Sequence, residues 1–130
     1  MKKKWIVLLS VVLILFLIVG GAMAVMNGQV KRLDEAGYAA ANPQLMPDGQ
    51  YRGKADTLLV KVEAQVDIQD GKIEKVQLLN HFNGFGQAAE VITEKMVDLN
   101  QVDVDTVSGA TASSIVIKAA VRDALSAGVP

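Results

Sequence analysis

The chain has 130 residues, a net charge of −1, no cysteine and one histidine. Without cysteine there are no disulfides, thiolate metal sites, iron–sulfur ligands or cysteine-attached haem, and a lone histidine rules out a multi-histidine metal site within the chain. Near-neutral charge and an aromatic content of 5% leave neither a broad basic face nor a stacking platform, so no nucleic acid partner is expected.

Lys2, Lys3 and Lys4 precede an uncharged apolar run from Trp5 to Met26. As a helix it would span roughly 33 Å, enough to cross the hydrocarbon core of a bilayer. Residues 1–26 therefore read as a membrane anchor. The lysines would stay on the cytoplasmic side, and the remaining chain would lie on the extracytoplasmic side of a single-pass cell-membrane protein. Ala22-Met23-Ala24 also has the small-x-small pattern of a signal-peptide cleavage site, although the run exceeds the usual signal-peptide core.

Residues 27–47 change texture and read as a stalk. Val30 to Ala36 can extend the anchor as a short helix, Gly37 weakens it, and Asn42-Pro43 stops it. Leu45 and Met46 are candidates to pack on the domain that follows, residues 48–130.

Pro47-Asp48-Gly49 is a turn signal, and Gln50 to Lys54 reads as an edge strand. Val60, Val62, Ala64, Val66 and Ile68 then alternate with polar residues, which predicts a strand with one buried face. Asp70-Gly71 marks a tight hairpin, and Ile73, Val76 and Leu78 continue the return strand to about Asn80.

Gln87 to Leu99 reads as an amphipathic helix with Ala88, Ala89, Ile92 and Met96 on its apolar face. Thr111 to Ala127 reads as a second helix. It is apolar around most of its circumference, with Ser114, Lys118, Arg122 and Ser126 as a narrow polar stripe. Lys118 and Arg122 are expected at a solvated surface. The expected class is α+β: a small antiparallel sheet with packed helices, preceded by one transmembrane helix.

Between the helices lies Asp105-Thr106-Val107-Ser108-Gly109-Ala110-Thr111, followed by Ala112-Ser113-Ser114. Gly109 and Ala110 leave little bulk beside Thr111, and a helix opening there offers unpaired N–H groups to an anion. Ser108, Ser113 and Ser114 add hydroxyl donors. A Ser/Thr-rich stretch before an apolar helix is also an ordinary N-cap, and capping does not preclude ligand binding.

This stretch resembles the Asp-x-x-Ser/Thr-Gly-Ala-Thr flavinylation signature of the FMN-binding domain family at every fixed position. The resemblance extends over about Asp48 to Leu125. It includes Asp48-Gly49-Gln50-Tyr51, Asp70-Gly71-Lys72-Ile73 and the region from Gly86 to Glu90. It implies FMN as cofactor, a phosphoester on Thr111, and a separate flavin transferase that takes FMN from FAD with a divalent metal. No G-x-G-x-x-G or P-loop pattern equips the chain to do this alone. Asp105 would hold the loop through backbone hydrogen bonds or meet a metal ion on the modifying enzyme.

The stretch from Asn80 to Gly86 corresponds to a loop near the flavin in related domains, without the acidic and proline residues common there. Phe82 or Phe85 can pack on the ring system, and Asn80, His81 or Asn83 can bond its pyrimidine edge. The resemblance implies an electron carrier serving a membrane redox complex or other electron-transfer proteins, not a stand-alone enzyme. The alternatives are a noncovalent FMN sensor or scavenger, and a flavin-free anchored interaction domain.

Overall fold

The computed structural model describes residues 1–82 and 86–127, without the side chains of residues 81–87. The first element is a single helix, α1 (Lys2–Glu35), with a mean hydropathy of 3.0 over its most apolar 18-residue window, none of which is buried. It is long and apolar enough to span a membrane. Gly37, in the left-handed region at φ 69°, ends it, and the Gly37 N–H donates to the Asp34 carbonyl.

Three antiparallel strands follow: β1 (Gly49–Asp56), β2 (Lys61–Gln69) and β3 (Lys72–Phe82), in spatial order β1-β2-β3. Val62, Ala64, Val66 and Ile68 of β2 are buried as the alternation predicts, but Gln65 on the opposite face is buried as well, where its side-chain oxygen accepts from the Arg52 Nε–H (3.1 Å). Asp70 and Gly71 form the two-residue turn between β2 and β3. Both have positive φ (52° and 73°), as the hairpin turn that matches strand twist requires.

A 3₁₀ turn (Gly86–Val91) leads into α2 (Ile92–Leu99), and the longer α3 (Thr111–Ala127) closes the fold. The expected helix from Gln87 is thus split. Thr93 donates its hydroxyl to the Glu90 carbonyl three residues back, a bond suited to the tighter 3₁₀ geometry. The buried row is Ala89, Ile92 and Met96, while Ala88 and Leu99 are exposed.

α3 packs across β1 and β2, and α2 packs along β3. Ile92, Met96, Ile117 and Leu125 are fully buried in their shared core, each stabilising it by about 1.5–3 kcal/mol. At Gly53 the β1 backbone lies directly against α3. A Cβ there would stand 2.1 Å from the Ala124 nitrogen, so only glycine fits.

The segment read as a stalk is docked on the domain. Val30, Ala41, Pro43 and Met46 are buried, and Met26, Leu33 and Tyr38 pack against the core, whereas Leu45 is exposed. This docking also corrects the expectation for the α3 stripe. Lys118 is only 4% exposed, and Arg122 donates from one guanidinium nitrogen to the carbonyls of Leu33 (2.8 Å) and Gly37 (3.1 Å). The end of α1 covers the face that sequence alone leaves to solvent.

Candidate functional site

Residues 101–110 carry the chain from α2 to the start of α3. Asn100 ends α2 in the left-handed region (φ 50°) and clips it to the hairpin. Its side-chain oxygen accepts from the Ile73 N–H (2.8 Å), and its amide donates to the Gly71 carbonyl (3.2 Å). Val102 and Val104 then point into the core, while Gln101, Asp103 and Asp105 are exposed. Lys118 reaches out from α3 to Asp103 at 2.8 Å, with its ammonium 4.5 Å from the centre of the Tyr38 ring. A nearly buried ammonium needs such partners.

The signature closes into a corner. The Ala110 N–H donates to the Val107 carbonyl (3.0 Å), making a four-residue turn with Gly109 at its third position, φ 81°. A positive φ at that position is the natural place for glycine. Ser114 locks the corner from inside: its hydroxyl oxygen accepts from the Val107 N–H (3.0 Å) and donates to the Ala110 carbonyl (2.7 Å). Ser114 is therefore fully buried and engaged within the protein rather than presented outward.

Thr111 stands exposed as the first residue of α3. Ser108 and Gly109 are exposed beside it, Ala110 is buried, and nothing lies within 4 Å of a Cβ built on Gly109. The N–H groups of Thr111, Ala112 and Ser113 have no protein acceptor among the described residues. Ser113 is 3% exposed, and its hydroxyl has no hydrogen-bond partner among the described residues. Leaving such a group unpaired costs about 1–3 kcal/mol.

Asp105 is exposed, and its carboxylate has no hydrogen-bond or ion-pair partner among the described residues. The loop-holding role expected of it falls to Ser114. His81, Asn83 and Phe85 lie outside what is described, except that the His81 backbone sits in β3 opposite Val62. Two clefts among the described residues lie elsewhere. One is between residues 38–43 and 100–103, and the other lies over Asp48–Gln50 and the end of β2.

Among the described residues, an exposed threonine, three N–H groups without acceptors, a buried hydroxyl without a partner and open space over a glycine suit a phosphate and its linked group. A sequence model described as the FMN-binding domain matches residues 59–126. The chain belongs to the FMN-binding domain family, and FMN is its cofactor. No curated protein matches it.

Sequence reasoning missed Asn100 and Gly53. Asn100 carried a usable signal, because asparagine is a common left-handed helix terminator. Gly53 carried none, since its need arises from a helix seventy residues away.

Proposed function

We propose that the chain is a membrane-anchored flavoprotein that carries FMN through a phosphoester on Thr111 and relays electrons outside the cytoplasm. The observation that carries this reading is the exposed Thr111 hydroxyl at the opening of α3, beside N–H groups without protein acceptors. In maturation by a flavin transferase, the Thr111 hydroxyl loses its proton and bonds to the FMN phosphorus of FAD, while AMP departs. The N–H groups of Thr111, Ala112 and Ser113 and the Ser113 hydroxyl would hold the phosphate oxygens. Gly109 and Ala110 keep the approach open. Asp105, without a partner among the described residues, is available to a metal ion on the transferase.

FMN supplies the redox chemistry, and the chain supplies attachment and position. The three lysines in the first turn of α1 favour a cytoplasmic N-terminus. A flavin tethered on the opposite, extracytoplasmic side would serve a membrane redox complex or other electron-transfer proteins without being lost by diffusion.

A noncovalent site is the second reading, favoured by the same N–H groups and by Ser113, which can grip phosphate without a link. Co-expression with a flavin transferase, followed by a denaturing gel, separates the two. Flavin fluorescence that stays with the band supports the phosphoester. Flavin released on denaturation supports the noncovalent site, and a chain that copurifies without flavin refutes both.

A further inference from the structure

The turn between β1 and β2, residues 57–60, brings two leucines to the surface. Leu58 is 50% exposed and Leu59 is 48% exposed, while Thr57 and Val60 on either side are buried. The turn satisfies much of its own backbone. The Thr57 N–H and hydroxyl both donate to the Val60 carbonyl (2.7 and 3.1 Å), and the Val60 N–H donates to the Thr57 hydroxyl oxygen (3.1 Å). Closing its two ends on each other lowers the hydrogen-bonding penalty of taking this turn out of water.

Its position relative to α1 is fixed. The Leu58 N–H donates to the Gln29 side-chain oxygen at 2.8 Å. Gln29 lies three residues beyond Met26, about 4.5 Å along the helix axis. Met26 is the last residue of the uncharged apolar run, and it also packs against the domain core. The domain thus reaches down to the level where the apolar run ends. Lys61 pairs across the ladder with Asp56, so the base of the turn offers headgroups no surplus charge.

We infer that Leu58 and Leu59 form a second membrane contact, inserting into the interfacial region of the same bilayer that α1 spans. The inference rests on the anchor reading of α1. Its occupant is lipid because the exposed leucine pair is tied to Gln29, three residues past the end of the exposed apolar run of the helix. The turn seats the domain on the bilayer at a set tilt. Arg122 is held at the end of α1, and Thr111 lies eleven residues earlier on α3, about 16 Å along that helix. The seat therefore fixes the acceptor corner relative to the membrane. Apolar burial drives the contact, so it forms equally on zwitterionic lipid.

The chain has no native cysteine, so single cysteines take a dye uniquely. Full-length Leu59→Cys, Leu15→Cys and Asp98→Cys proteins are each labelled with an environment-sensitive fluorophore and reconstituted into phosphatidylcholine vesicles with spin-labelled phosphatidylcholine as quencher. The expected result is blue-shifted, quenched emission at positions 15 and 59 and neither change at position 98. Quenching at 15 without quenching at 59 overturns the second contact and leaves the anchor standing. Quenching at neither overturns both, and equal quenching at 59 and 98 overturns a contact made by this turn. Leu58→Cys repeats the reading from the adjacent position, with circular dichroism confirming that each variant is folded.

Discussion

The Ser114 hydroxyl oxygen lies 3.0 Å from the Val107 nitrogen, so a side chain inside α3 holds the loop that presents Thr111. Ser114, Lys118 and Arg122 are spaced one helical turn apart. They bind in turn the signature loop, Asp103 and the end of α1. One row of α3 thereby ties the Thr111 corner to α1.

Ser114→Ala leaves the Val107 N–H without its partner. The expected loss of stability is about 1–3 kcal/mol. Flavin loading should fall although Thr111 is untouched. Urea unfolding and flavin content per chain check the two effects separately.

Gly53→Ala places a methyl group onto the backbone of α3, 2.1 Å from the Ala124 nitrogen and 2.4 Å from the Ala120 carbonyl oxygen. Backbone on both sides cannot yield as a flexible side chain would. Overpacking of this kind costs about 1–3 kcal/mol, and the upper end is expected here. A urea midpoint unchanged from the parent chain would show that β1 and α3 are less closely apposed.

Tyr38 lies between the two cations of the α1–α3 joint, its ring 4.5 Å from Lys118 and 5.6 Å from Arg122. Burial, helped by the nearby Asp34 carboxylate, pushes its phenol from 10.0 up to about 12. The folded chain thus keeps a proton that the unfolded chain gives up first. Its contribution to stability is fully present below pH 10 and is lost as pH rises to about 12. Melting temperature should decline across that window in the parent chain. Tyr38→Phe should flatten this part of the decline.

The parts legible in sequence were those set by local rules. Alternation in β2 and the Asp70-Gly71 turn depend on neighbours along the chain, and both stand where expected. The signature was legible because its glycine and small residues meet a local backbone demand at Gly109. The α3 stripe was not. Serine, lysine and arginine at one-turn spacing look the same whether water or another helix covers them. What covers them is the end of α1, more than eighty residues away in sequence from Arg122, and no local pattern reports that docking.

The most direct measurement is peptide mass spectrometry of the chain co-expressed with a flavin transferase, compared with its Thr111→Val variant. The account predicts that FMN, less one water, adds to the peptide containing residue 111, and that the variant carries no such addition. FMN attached at another residue, or an unmodified Thr111 in a chain matured with an active transferase, would contradict it.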